Sequence, residues 1–287
     1  MIYKILVTGS DGQLGYELKR LLSDNKNFEL FFTNHKTLDI TDEQAIRDFY
    51  NKYKPNFVIN AAAYTAVDKA ETEKEIALKV NVNGVRNLAK YSIDYNTIMI
   101  HISTDYVFDG NKSSPYIETD TPNPLGYYGY TKFMGENEMS KINPRGVIIR
   151  TSWLYSNHGN NFVKTIIKKS LDENQKLQVV YDQIGTPTYA RDLAMCIYQM
   201  IQCFDFNNLE FFHFADEGVA SWYDFAHAII RIKNIDKCIY PIETDQINQL
   251  TMRPKYSVMN KSKIKSALNI SIPHWYDSLK EMLGLFM

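Results

Sequence analysis

The chain has 287 residues and a formal net charge of −1, with 45% hydrophobic and 23% charged residues. These values are ordinary for a soluble globular protein and give no electrostatic footprint for nucleic acid. No apolar run reaches the roughly 18 residues that cross a bilayer, and the first residues already read as a strand, leaving no room for a signal peptide. Cys196, Cys203 and Cys238 are odd in number and lack metal-ligand spacing. Cys196 sits inside an apolar run as a buried inert thiol, and a reducing cytoplasm follows.

In chain order, Ile2 to Thr8 reads as a buried strand and is followed by a glycine-rich turn from Gly9 to Gly15. An amphipathic helix, Tyr16 to Ser23, comes next, and Phe28 to Thr33 forms a second strand. Asp39 to Asp42 reads as a loop ending in a helix cap, with a helix from about Glu43 to Tyr53. Phe57 to Ala63 is an all-apolar strand, Glu73 to Tyr95 contains a long helix, and Thr97 to Ser103 and Gly146 to Thr151 are further strands. Short apolar strands alternating with helices specify a parallel sheet covered on both faces, a doubly wound α/β domain.

Beyond about residue 152 the alternation loosens. A helix is expected over Asn161 to Leu171, a strand over Leu177 to Tyr181, a helix over Ala190 to Gln202 and a strand over Leu209 to Ala215. The expected division gives 1–152 and 178–215 to a Rossmann domain. It leaves 153–177 and 216–287 to a smaller, substrate-binding lobe.

Gly9-x-x-Gly12-x-x-Gly15 directly follows a strand and opens a helix, the context a dinucleotide site requires. Gly9 permits the tight turn, Gly12 lets the backbone approach a pyrophosphate, and Gly15 allows close helix packing. The acidic residue usual at the end of the second strand is missing, and the chain reads Thr33-Asn-His-Lys36 instead. Asp39 comes later in its loop and is a candidate for the adenine or ribose. Lys36 either meets a 2′-phosphate, making NADPH usable alongside NADH, or is a solvated loop charge. Ala61, Ala62 and Ala63 are small either where a cofactor crosses the strand end or for helix packing.

Pro122 to Glu136 carries Tyr128 and Lys132 four residues apart, on one face of a helix that begins after the last proline. An ammonium beside a phenol moves its pKa down toward neutrality, so that Tyr128 passes a proton to a substrate oxygen. The same spacing also fits two neighbours on a solvated face. Ser103-Thr-Asp-Tyr lies at a strand end, where ligands collect in open α/β sheets, and a hydroxyl there could donate to a substrate carbonyl. Arg253 suits a diphosphate through its fork of donors, or makes a surface ion pair. His101, His213 and His227 lie in or beside apolar runs and read as packed side chains.

These motifs in this order resemble the extended short-chain dehydrogenase/reductase superfamily, and within it the dTDP-4-dehydrorhamnose reductase family. The resemblance covers nearly the whole chain. It rests on G-x-x-G-Q-L-G at 9 to 15, D-I-T-D at 39 to 42 and N-A-A-A-Y-T-A-V-D-K-A-E at 60 to 71. Further along it includes S-T-D-Y-V-F-D-G at 103 to 110, Y-G-Y-T-K at 128 to 132, R-T-S-W-L-Y at 150 to 155, G-T-P-T at 185 to 188, and Arg253-Pro254 with Ser257. It implies reduction by NADPH or NADH of the C4 ketone of a nucleotide-linked 4-keto-6-deoxysugar. Tyr128 would be the proton donor, Thr104 would bond the same oxygen, and Lys132 would hold the nicotinamide ribose.

The resemblance also assigns Asp11, Gln13, Leu14, Ile40, Tyr64 and Thr65 to the cofactor, Trp153 to packing against the sugar and Asp105 to its hydroxyls, though a tryptophan after a buried strand also fits a core position. Some family members are metal-bridged dimers. No acidic cluster here matches that bridge, so no metal ligand is named, and the metal and a homodimer both stay open. Rival readings are a reductase of another 4-keto-deoxysugar, a 4-epimerase, and a non-catalytic regulatory subunit on the same fold.

Overall fold

The computed structural model describes residues 2–174, 176–247 and 250–284. Its first half runs β1 (Tyr3–Thr8), α1 (Gln13–Leu22), β2 (Phe28–Thr33), α2 (Glu43–Tyr53), β3 (Phe57–Asn60), α3 (Lys74–Leu78), α4 (Val85–Asp94), β4 (Ile98–Thr104), α5 (Tyr127–Ile142) and β5 (Gly146–Thr151). The second half follows as β6 (Leu154–Tyr155), α6 (Phe162–Ser170), β7 (Leu177–Val180), β8 (Ile184–Gly185), β9 (Thr188–Tyr189), α7 (Ala190–Cys203), β10 (Leu209–His213), β11 (Ala220–Ser221), α8 (Trp222–Ile232), β12 (Ile239–Ile242), α9 (Ser262–Leu268) and α10 (Trp275–Gly284).

Six strands form one sheet in the order β10-β5-β4-β3-β1-β2, and every neighbouring pair is parallel. Successive side chains on each strand point to opposite faces, so an all-apolar strand feeds two cores. Ile5, Ile59, Ile100 and Ile149 pack with Leu18 of α1, Ile197 of α7 and Ile264 of α9. Their neighbours Leu6, Val58, Met99 and Ile148 pack with Tyr50 of α2, Leu88 of α4 and Met139 of α5. The expected doubly wound α/β sheet is the observed architecture.

A third cluster holds the rest together. Val163 and Ile166 of α6, Phe225 and Ile229 of α8, and Leu279 and Met282 of α10 close around Leu177 and Val179. Strand β7, expected mostly within the Rossmann part, pairs with β12 instead of the six-stranded sheet. Helix α9, placed in the lobe from sequence, packs its Ile264 and Leu268 against the sheet's core. Alternation of strand and helix records local conformation; which core a short apolar strand joins depends on partners distant in sequence.

Two local departures shape the site. The third apolar run leaves the sheet at Asn60, and Ala61 to Ala63 continue outside it. The long helix after residue 73 loosens into a π-turn over Lys79–Gly84, between α3 and α4. Such turns arise where an inserted group spreads the helical ladder. Here Gly135 of α5 comes so close that a Cβ on it would meet the Asn81 carbonyl at 2.2 Å. Among the described residues, no helix is long and apolar enough to cross a membrane.

Candidate active site

The sheet's connections reverse direction between β1 and β3, and ligands of doubly wound folds bind outside the carboxyl ends at such a point. A cavity of about 880 Å³ opens there. Gly9, with φ +67°, bends the chain back after β1, and a Cβ on it would strike the Ala62 nitrogen at 2.6 Å. That backbone contact leaves room for no residue but glycine at position 9. Gly12 caps α1 without any side-chain hydrogen bond, so the first N–H groups of the helix remain available to an anion. Gly15 lies against Gly9 and Ser10, with only 2.5 Å for a Cβ.

The segment that follows β5 is bonded directly to this turn. Gln13 Nε2 donates to the Leu154 carbonyl at 3.2 Å, and Asn161 Nδ2 donates to Gln13 Oε1 at 2.9 Å. His158 lies 3.0 Å from the Asp11 carbonyl and stacks on Tyr16. Across the cavity, Asn81 from the π-turn accepts from the Tyr64 N–H at 2.9 Å and donates to the Tyr64 carbonyl at 3.1 Å. Its amide also reaches Thr131 on α5 at 3.0 Å. One buried side chain thus ties the Ala61–Thr65 loop to the helix bearing Tyr128.

Tyr128 and Lys132 stand on the first turns of α5, and Thr104 ends β4; all three line the cavity. Lys132 is 2% exposed, and its ammonium donates to the Ile102 carbonyl at 2.7 Å. Burial lowers its pKa to about 8, against an opposing pull from Glu136. For Tyr128 the sequence expectation is corrected. Burial pushes the phenol up to about 12, Thr104 within hydrogen-bonding reach works the other way, and the Asp105 charge adds to the rise. Desolvation therefore dominates at Tyr128, while the Lys132 ammonium is directed at a strand carbonyl.

Thr104 Oγ1 donates to Asp105 Oδ1 at 3.1 Å and accepts from the Tyr106 N–H at 3.2 Å. Asp105 is raised to about 7 by burial, partly offset by the Ser257 and Thr104 hydroxyls. Tyr106 meets Tyr128 edge-on at 5.7 Å.

Asp11, Leu14, Thr65 and Trp153 line the cavity with the residues above. Trp153 has φ +45°, a conformation rarely tolerated outside glycine. Its indole lies against Gly185, where a Cβ would come within 2.6 Å, and stacks on Trp222 at 3.6 Å. Trp222 also lines the cavity and escaped the sequence reading. The tight glycine of G-T-P-T makes room for the Trp153 ring and carries no signal for Trp222.

Asp39, Ile40, Tyr64 and Arg253 are not among the residues that line the cavity. Ile40 is buried in the sheet's second core, and Asp39 is exposed with its carboxylate accepting from the Thr41 N–H. Tyr64 turns its hydroxyl to Glu73 at 2.8 Å. Arg253 makes an ion pair with Asp68 at 3.0 Å, beside Tyr106 at the cavity edge. Asn34 and His35, and not Lys36, line the cavity at the end of β2. His101 and His213 are fully buried, as expected.

A glycine-turn nucleotide fold with Tyr-x-x-x-Lys beside a strand-tip threonine defines an extended short-chain dehydrogenase/reductase. The family model described as RmlD substrate binding domain matches residues 3–287, and the chain belongs to that family. It is 40% identical to dTDP-4-dehydrorhamnose reductase of Aggregatibacter actinomycetemcomitans, over 97% of this chain and 98% of that one. A dTDP-4-dehydrorhamnose reductase structure from Clostridium acetobutylicum superimposes with a TM-score of 0.94 at 43% identity, covering 99% of each chain. Another from Bacillus anthracis, solved with NADP, gives 0.93 at 34% identity, covering 99% of this chain and 100% of that one.

Proposed function

We propose that this chain reduces the C4 ketone of dTDP-4-dehydro-L-rhamnose to dTDP-L-rhamnose with NADPH or NADH, a step that supplies surface polysaccharide synthesis. The observation that carries the reading is the grouping of Tyr128, Thr104 and Lys132 in a cavity whose opposite wall is the bare-backboned glycine turn. That turn, with its uncapped helix start, fits a pyrophosphate, and the cavity volume fits a dinucleotide with a second ligand. The bound cofactor supplies a hydride.

Tyr128 keeps its proton throughout the neutral range, so it donates to the oxygen that gains charge as the ketone is reduced. The Lys132 ammonium stabilises the phenolate left behind and holds the nicotinamide ribose. Asp105 accepts from a sugar hydroxyl. Its Oδ2 has no donor at hydrogen-bonding geometry among the described residues. Engagement of Asp105 by the sugar turns the single Thr104 proton from Asp105 to the substrate oxygen. Trp153, backed by Trp222, forms the sugar's flat wall, and Arg253 reaches the diphosphate from the cavity edge.

The protein works in a reducing cytoplasm, where the exposed thiols of Cys203 and Cys238 stay free. Incubation with dTDP-4-dehydrorhamnose and NADPH, followed by identification of the sugar by NMR, tests the reading. Stoichiometric cofactor oxidation with formation of dTDP-L-rhamnose is expected. No oxidation with this substrate would reject it, and epimerisation without added cofactor would favour the 4-epimerase.

A further inference from the structure

Arg150 opens the run R-T-S-W, whose next three residues line the cavity, yet its guanidinium faces away from it. It is 3% exposed and grips Glu136 bidentately, Nε to Oε1 at 2.9 Å and Nη2 to Oε2 at 2.7 Å. The Ser103 hydroxyl donates to the same Oε1 at 2.5 Å. Phe108 and Phe211 approach the guanidinium, each ring centre 5.1 Å from its central carbon. A buried ion pair carries a desolvation cost that an apolar pair of the same shape avoids. Its position is informative: Glu136 lies one turn beyond Lys132 on α5, Ser103 directly precedes Thr104 on β4, and Arg150 directly precedes Thr151 on β5.

We propose that Glu136, held by Arg150 and Ser103, is a positioning residue that locks α5 to the strand tips and balances the electrostatic field at Lys132. The inference deepens the reductase reading and rests on it. Lys132 faces the Ile102 carbonyl and the neutral His101 ring on β4 and Glu136 on its own helix, with Tyr128 and Asp105 lining the same cavity. Arg150 acts from β5 through Glu136. On the outer side of α5, Glu71 accepts from the Tyr127 N–H at the helix start, while Lys79, Arg86 and Lys90 are turned to solvent. The Glu136 carboxylate and Arg150 guanidinium thus oppose each other at Lys132, and removing either one alone unbalances them.

The test is the pH dependence of kcat/KM for the sugar nucleotide in wild type, Glu136→Gln, Arg150→Met and the double variant, with thermal melts in parallel. Glu136→Gln leaves a lone buried cation, so the alkaline limb moves to lower pH by about one unit. Arg150→Met leaves the carboxylate unopposed and moves the limb upward; the double variant returns it to the wild-type position. A purely structural role would lower melting temperatures and activity with the limb unmoved, and limbs that coincide in all variants overturn the proposal. If Glu136→Gln does not fold, the limb of Arg150→Met measured against that of the double variant separates the same two outcomes. Absence of wild-type turnover would remove the reductase reading, and this proposal with it.

Discussion

Lys132 directs its ammonium to the Ile102 carbonyl, 2.7 Å away, and not at the tyrosine one turn before it. Its pKa is lowered to about 8, and Asp105 beside the same cavity is raised to about 7. The lysine is charged below its pKa and loses its charge as pH rises through about 8. The carboxylate forms as pH rises through about 7. A narrow bell for kcat/KM follows, rising through the lower of these pKa values and falling through the higher. Asp105→Asn should abolish the rising limb and raise KM; an unchanged rising limb would show that another group titrates there.

Selectivity between the cofactors is expected at Asn34. This neutral residue lines the cavity at the end of β2, and its amide bonds Asp11 at 2.7 Å. Asn34→Asp should raise the KM for NADPH at least about tenfold, through repulsion of the 2′-phosphate, and leave that for NADH nearly constant. Lys36→Ala should change neither. Steady-state kinetics with both cofactors checks this.

Gly15→Ala forces a methyl to within 2.5 Å of the Gly9 carbonyl and Ser10. Backbone atoms cannot rotate aside, so the turn must move. The variant should lose about 1–3 kcal/mol of stability and bind cofactor more weakly, as measured by chemical denaturation and fluorescence titration.

Trp222 supports Trp153 through a 3.6 Å stack. Trp222→Ala should raise KM for the sugar nucleotide several-fold, with the stack itself contributing about 0.5–1.5 kcal/mol, while cofactor affinity stays constant. Kinetics with each ligand varied in turn separates the two.

The sheet was legible because apolar strands that feed two cores must be apolar throughout, as in Val58 beside Ile59. Gly9, Gly12 and Gly15 were legible because a tight turn and close approach leave no other choice. Trp222 was not, because its role depends on a contact across many residues with Trp153. The rise in the Tyr128 pKa was equally hidden: spacing places Lys132 on the same face, but the burial that raises the phenol is set by packing between distant segments. The D-I-T-D run reads as a cap at Asp42, which accepts from the Ala45 N–H, while Ile40 serves the core.

The most direct measurement is kcat of Tyr128→Phe beside its NADPH dissociation constant. With the phenol as proton donor, kcat should fall by about 10²–10⁴-fold while the dissociation constant stays within a few-fold. A phenylalanine variant that turns over at near the wild-type rate would contradict the account.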